Sequence, residues 1–71
     1  MKIGAVGFGN RIAHIYFELK QINQEAVMVS FVDPNPIGKK FAESKNIFTA
    51  KEYKSLSDML KNEKLDLLMV G

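Results

Sequence analysis

The feature that most constrains the fold is a pair of glycines, Gly7 and Gly9, at the junction of two different sequence patterns. Residues 2–7 (KIGAVG) are mostly apolar and predict a short buried strand. From Ile12 the period changes, and apolar residues recur at the spacing of an amphipathic helix: Ile12, Ile15, Tyr16, Leu19 and Ile22. A strand that enters a helix through a glycine turn is the beginning of a βαβ unit.

Three further segments complete the predicted strands. Residues 26–32 (AVMVSFV) are almost continuously apolar and β-branched, which is typical of a strand buried in a parallel sheet. Residues 47–49 predict a very short edge strand, and residues 65–70 (LDLLMV) predict the final strand.

Two further helices are predicted between these strands. Residues 37–45 have helical spacing, with Ile37, Phe41 and Ala42 on one side and Pro36 suited to the first turn. Residues 55–62 form the third helix, with Leu56, Met59 and Leu60 as its apolar face. Its predicted N-cap is Ser55, with Asp58 at the capping-box position.

The alternation predicts an α/β fold, namely a partial Rossmann fold with three layers. Its mostly parallel sheet is expected to have three long-to-medium strands plus a short edge strand. Short right-handed crossovers favour the spatial order third, second, first, final strand. The 71 residues contain no repeat or linker and are interpreted as one domain.

Composition excludes several classes of protein. With 46% hydrophobic and 25% charged residues, the chain is expected to fold. The net charge of +2 is spread along the chain, which argues against a nucleic-acid binder. Cysteine is absent, which excludes disulfides and thiol catalysis. No apolar run approaches the ~18 residues of a membrane span, so we expect no membrane partner and a cytoplasmic location.

The glycine turn has the chemistry of a phosphate site. Gly7 permits a sharp turn with positive φ, and Gly9 lacks the Cβ that would keep a pyrophosphate away from the backbone. The amide groups after it point outward at a helix start, which carries a partial charge of roughly +0.5. The predicted cofactor-binding residues of this turn are Gly7, Phe8, Gly9, Asn10, Arg11 and Ile12.

The third position of the dinucleotide fingerprint is Ile12 rather than glycine. That glycine normally permits close packing of helix against strand. We therefore expect the helix to be displaced slightly outward, or Ala13 to supply the close approach, with the phosphate site retained.

Asp33 is the second half of the predicted site. It ends the second strand, 24 residues after Gly9, where an acidic residue is expected to bind the ribose 2′-hydroxyl. A carboxylate there repels a 2′-phosphate, and Pro34 and Asn35 follow it instead of arginine, so NAD is favoured over NADP. Alone, an aspartate before proline is more often a turn former; the glycine turn favours the cofactor role.

Other residues receive simpler interpretations. His14, the only histidine, is expected on the helix surface, and Arg11 either reaches a phosphate or is solvated. Lys39 and Lys40 could approach an adenosine phosphate, but solvation is favoured; Tyr53 and Phe48 are expected to be packing residues. No paired carboxylates, metal-ligand cluster or nucleophile–base set appears, so no catalytic or metal-binding residue is predicted.

Several segments together resemble the Gfo/Idh/MocA oxidoreductase family. They are residues 2–13 (KIGAVGFGNRIA), the strand ending at Val32, Asp33 and Pro34, the helix at residues 55–60 and the closing residues 65–70. The resemblance implies an N-terminal NAD(P)-binding domain, with Gly7, Gly9 and Asp33 at cofactor positions. It also implies hydride transfer to or from sugars, inositols and related polyols.

In that family a Glu-Lys-Pro motif with a catalytic lysine and a C-terminal α/β substrate domain follow, and neither corresponds to anything in residues 1–71. The chain therefore looks like the N-terminal part of a dehydrogenase, and we expect no turnover from it alone. Two alternatives stay open: a non-catalytic NAD- or CoA-binding regulatory module, and an S-adenosylmethionine-dependent methyltransferase, which the very early glycine turn disfavours.

The final strand generates a prediction about association. Residues 65–70 would have an unpaired apolar edge, and such edges pair with other chains. We expect self-association through this edge, detected as concentration-dependent mass in analytical ultracentrifugation. A clean monomer at high concentration would contradict it.

Overall fold

The computed structural model describes residues 1–45 and 50–71. Strands and helices alternate along the chain in the order β1 (Lys2–Val6), α1 (Asn10–Ile22), β2 (Val27–Val32), α2 (Lys39–Ser44), β3 (Lys51–Glu52), α3 (Leu56–Asn62) and β4 (Leu67–Val70). Apart from the third strand, each element lies within two residues of its predicted bounds.

The four strands form one parallel sheet in the order β3-β2-β1-β4. This is the predicted order, and the architecture is consistent with part of a Rossmann-like fold. The strands have five, six, two and four residues in chain order. The edge strand observed is Lys51–Glu52, whereas the one predicted at residues 47–49 lies outside the described residues.

Helices cover both faces of the sheet because successive strand residues point to opposite sides. Ile3 and Ala5 of β1 belong to one buried cluster with Ile12, Ala13 and Tyr16 of α1. Gly4, between them, faces the other side: a Cβ on Gly4 would lie 2.5 Å from Cδ1 of Leu65 and 3.2 Å from Cε of Met59 in α3. The glycine in the middle of β1 thus allows the second layer to approach closely.

A β-bulge in β2 adjusts which side chains enter the α1 layer. Ile3 pairs with Met28 but Gly4 pairs with Ser30, so Val29 is an extra residue in β2. Met28 and Phe31, three residues apart, consequently lie on one face and belong to the same core. Simple alternation along the sequence would have placed them on opposite faces.

The buried face of α1 differs from the predicted stripe. The buried residues are Ile12, Ala13 and Tyr16, whereas Ile15 and Ile22 are 45% and 85% exposed. The small Ala13 lies close to Gly38 at the start of α2, where a Cβ on Gly38 would come within 3.0 Å of the Ala13 Cβ. Tyr16 is fully buried, and its hydroxyl accepts a hydrogen bond from the Met28 N–H at 3.1 Å.

The second helix also departs from its prediction. It begins at Lys39 after an N-cap at Gly38, so Pro36 lies in the preceding turn, where its carbonyl accepts from the Lys39 N–H. Ile37 is 56% exposed instead of facing the core.

The third helix confirms its predicted cap, since the Ser55 side chain accepts from the Asp58 N–H at 3.1 Å. Of its predicted apolar face only Met59 is buried; Leu56 and Leu60 are 38% and 51% exposed. One face of so short a helix covers the sheet with little more than a single side chain.

The β4 strand lies at one edge of the sheet, with Leu67, Leu68 and Val70 at least one-third exposed. Self-association through this edge stays a prediction. Among the described residues, no helix has the length and apolar character needed to cross a membrane.

The contact between α2 and the glycine turn generates a stability prediction. A Cβ at Gly38 would lie 2.2 Å from the Gly9 carbonyl oxygen, which is backbone and cannot turn aside. We expect Gly38→Ala to lower the free energy of unfolding by about 1–3 kcal/mol through overpacking. Urea denaturation would measure the change.

Gly9→Ala is the matched control, because a Cβ at Gly9 would have no heavy atom within 4 Å. Its cost should not exceed about 1 kcal/mol, the effect of replacing glycine at a helix N-cap. Equal destabilisation by both substitutions would show that the Gly38 contact is not what limits the site.

Candidate functional site

The turn after β1 requires glycine at its first position. Gly7 has φ of 81°, a left-handed conformation that residues with a Cβ rarely adopt. Its N–H donates to the Val32 carbonyl at 2.8 Å, which ties the turn to the end of β2. A Cβ on Gly7 would also come within 3.0 Å of the Gly71 carbonyl oxygen. The positive φ predicted from the sequence is confirmed.

Phe8 anchors the turn. Its ring is fully buried and lies 5.3 Å from the Phe31 ring, centroid to centroid. Its N–H donates to Asp33 Oδ2 at 2.5 Å, and its carbonyl accepts from the Gly38 N–H at 3.0 Å. The Phe8 N–H is therefore engaged inside the protein, and the residue holds the turn in shape.

Gly9 and the first residues of α1 form the open part of the turn. Gly9 is the N-cap with extended backbone, and its carbonyl accepts from the Ala13 N–H at 3.1 Å. No side chain caps the helix and no acidic residue lies in its first turn. The N–H groups of Asn10, Arg11 and Ile12 have no acceptor within the helix. The helix dipole therefore presents an uncompensated positive end.

A cleft of about 530 Å³ adjoins this helix start. We call it the glycine-turn cleft; it is lined by Gly9, Arg11, Ile12, Ile15, Val70 and Gly71. After β1 the chain crosses to β2 on one side, whereas β4 lies on the other, so the cleft lies where the strand order reverses. The crevice outside the carboxyl ends of strands at such a point is where open α/β sheets bind ligands.

The structure explains how Ile12 is tolerated. Ile12 is 5% exposed, and a Cβ on Gly71 would come within 2.6 Å of its Cγ1 atom. The glycine after β4 thus makes room for the isoleucine, while Ala13 supplies the close approach to α2. Gly71 is a partner of Ile12 that the sequence did not suggest, whereas the two predicted accommodations against the strand, an outward displacement of the helix or a close approach through Ala13, stay predictions.

Asp33 performs the turn-forming role in full. Oδ1 accepts from the Asn35 N–H at 2.8 Å, and Oδ2 accepts from the Phe8 N–H. The carboxylate is half-buried and held against the glycine turn. The sequence placed Asp33 near this turn through fold topology; the direct bond between the two is a finding of the structure.

A second cleft, of about 300 Å³, opens beside Asp33. We call it the Asp33 cleft; it is lined by Val32, Asp33, Pro34, Glu52, Tyr53 and Lys54. The last three residues follow or end β3, and sequence reasoning missed them because it placed the edge strand at residues 47–49. Since the carboxyl ends of neighbouring parallel strands lie side by side, an edge strand placed three to four residues later would have brought them beside Asp33.

The remaining candidates lie elsewhere. His14 is exposed as predicted, and its ring stacks on Phe41 with centroids 3.9 Å apart. Lys39 and Lys40 begin α2 and line neither cleft, whereas Arg11 lines the glycine-turn cleft. Tyr53 is not simply a packing residue, because it lines the Asp33 cleft.

The two clefts lie at the same end of the sheet. In the strand order β3-β2-β1-β4, the two clefts lie over the carboxyl ends of neighbouring strands. One offers unpaired helix N–H groups and the other a carboxylate. Comparisons with protein-family models, with curated proteins and with solved structures found no match for this chain.

The wall of the Asp33 cleft generates a pH prediction. The Tyr53 hydroxyl donates to Glu63 Oε2 at 2.7 Å. This hydrogen bond, with burial and the Glu63 charge, raises the pKa of the Tyr53 phenol. The contribution of the protonated Tyr53 phenol to the free energy of unfolding is therefore complete below the ordinary tyrosine pKa of about 10. It is lost as pH rises through the higher pKa of Tyr53 in the folded protein.

Absorbance titration of the phenols would measure this effect. We expect Glu63→Gln to lower the pKa of Tyr53, and Tyr53→Phe would identify which of the two tyrosines titrates. An unchanged titration curve in Glu63→Gln would show that the hydrogen bond does not control this group.

Proposed function

We propose that this chain binds a dinucleotide, with NAD favoured, along the carboxyl edge of its sheet. The observation that carries the proposal is the junction of β1 and α1. There Gly7 has positive φ, Gly9 faces open space and Asp33 is bonded directly to the turn. Gly7 and Gly9 supply the tight turn and the open backbone of the dinucleotide fingerprint, and Asp33 stands where its ribose-binding acid is expected, whereas Ile12 departs from the third glycine.

The pyrophosphate is assigned to the start of α1. The N–H groups of Asn10, Arg11 and Ile12 are its donors, and the absence of an acidic residue in that turn keeps the site attractive to anions. Arg11 lines the adjoining cleft and adds a positive side chain. Among the described residues no heavy atom lies within 4 Å of where a Gly9 Cβ would be, which leaves open space for a phosphate to approach the backbone.

The adenosine ribose is assigned to the Asp33 cleft. Each Asp33 oxygen accepts one backbone N–H and keeps further acceptor capacity for a ribose hydroxyl. The internal bonds also fix the orientation of the carboxylate before a ligand arrives. Preorganisation of this kind reduces the entropy lost on binding.

We further propose, from the resemblance to Gfo/Idh/MocA oxidoreductases, that the chain is the nucleotide-binding portion of an NAD(P)-dependent enzyme. Its substrate would be a sugar, inositol or similar polyol, and the bound cofactor would supply hydride transfer. The chain's own residues bind and orient the cofactor. His14, stacked on Phe41, lines neither cleft, so it is not proposed as a proton-transfer group.

Titration of the chain with NADH, NADPH, S-adenosylmethionine and coenzyme A tests the assignment. We expect NADH to bind most tightly. Tightest binding of coenzyme A or S-adenosylmethionine would favour the regulatory or methyltransferase alternative, and binding of none would refute the proposal.

Gly9→Ala tests the phosphate site itself. The added methyl occupies the open space at the helix start and should weaken NADH binding about tenfold, which corresponds to ~1.4 kcal/mol. Isothermal titration calorimetry would measure it. Ser57→Ala, an exposed change on α3, is the control and should leave affinity unchanged. Unchanged NADH affinity in folded Gly9→Ala would contradict the placement.

A further inference from the structure

The residues that close the Asp33 cleft from the β3 side bear on which cofactor it accepts. From the sequence, only residues shortly after Asp33 were considered for contact with an adenosine phosphate, including Lys39 and Lys40. The structure places both of these in α2, outside the cleft lining. The lysine that does line the cleft is Lys54, which comes two residues after the end of β3.

The backbone before Lys54 is fixed beside the end of β2. The Tyr53 N–H donates to the Phe31 carbonyl at 2.8 Å, and the Tyr53 hydroxyl donates to Glu63. Lys51 Nζ lies 5.1 Å from the centroid of the Tyr53 ring. Because both the backbone and the side chain of Tyr53 are held by hydrogen bonds, the position of Lys54 beside the cleft is fixed by the residue before it.

The Lys54 side chain is exposed and uncommitted. Within residues 1–45 and 50–71, no hydrogen bond or ion pair engages its ammonium group. Glu52 lines the same cleft, but no ion pair joins its carboxylate to Lys54 among the described residues.

The Asp33 carboxylate, by contrast, is partly compensated. Both of its oxygens accept backbone N–H groups, one from Phe8 and one from Asn35. Hydrogen bonds to a carboxylate offset part of its negative charge and so weaken its repulsion of a nearby phosphate. The cleft lining thus contains two acidic residues, Asp33 and Glu52, and one cationic residue, Lys54; of the two acids, Asp33 is hydrogen-bonded to backbone N–H groups.

We propose that Lys54 is a specificity-determining residue that admits a 2′-phosphorylated adenosine ribose, so that the site accepts NADP as well as NAD. The inference rests on the proposed dinucleotide function and deepens it. Lys54 offers a positive charge to the 2′-phosphate, which NAD lacks. Asp33 continues to accept from the 2′-hydroxyl when NAD is bound.

The test compares the dissociation constants of NADH and NADPH in the full chain and its variants. Lys54→Gln should weaken NADPH binding about fivefold, the effect expected of one exposed charge pair, and leave NADH within about twofold. Lys54→Glu should increase the ratio of the NADPH dissociation constant to the NADH dissociation constant further. The loss of NADPH affinity in Lys54→Gln relative to the unsubstituted chain should be smaller at high ionic strength, because salt screens exposed charges.

Lys64→Gln is the matched control, because Lys64 is an exposed lysine outside both clefts. If Lys54→Gln changed the affinities for NADH and NADPH equally, or changed neither, the proposed role of Lys54 would be overturned. Binding of NADH in the same experiment would still support the proposed function. Absence of binding by both dinucleotides would overturn the two together. Parallel titration with 2′-AMP and 5′-AMP should show the Lys54 effect only for 2′-AMP.

Discussion

The hydrogen bond from the Phe8 N–H to the Asp33 carboxylate joins the turn after β1 to the end of β2. A second bond, from the Gly7 N–H to the Val32 carbonyl, lies beside it. On the other side of the turn, the Gly38 N–H donates to the Phe8 carbonyl. The turn is thus held from two directions, and the start of α1 is positioned by groups at the end of β2 and at the N-cap of α2.

This arrangement leaves little space, and glycines occupy its close contacts. Gly38 approaches the Gly9 carbonyl, and Gly71 approaches both the Gly7 backbone and the Ile12 side chain. In each case a Cβ would collide with atoms of the protein itself. Gly9 is the exception, because its missing Cβ faces open space. Packing and, for Gly7, the positive φ account for three of these glycines, and the fourth is the N-cap of α1 at the proposed phosphate site.

Asp33 shows that a structural and a binding role need not compete. Its bonds to two backbone N–H groups shape the turn that the proposed pyrophosphate site needs, and they also orient the carboxylate toward the Asp33 cleft. The same bonds reduce its effective charge. In the proposed site, discrimination at the ribose depends on Asp33 and on the residues that the β3 side contributes, namely Glu52, Tyr53 and Lys54, of which Lys54 is the positively charged one.

Periodicity alone was sufficient to predict the alternation of elements, the parallel sheet and the order of its strands, because local hydrophobic spacing reflects which faces are buried. The glycine turn and Asp33 were likewise predictable, since backbone conformation and strand ends follow from local chemistry. Four features were not predictable from the sequence: the bulge at Val29, the exposure of Ile15, the fit of Ile12 against Gly71 and the position of Lys54 in the lining of the Asp33 cleft. Each depends on the distance between segments remote in sequence, and only the packed tertiary structure sets such distances.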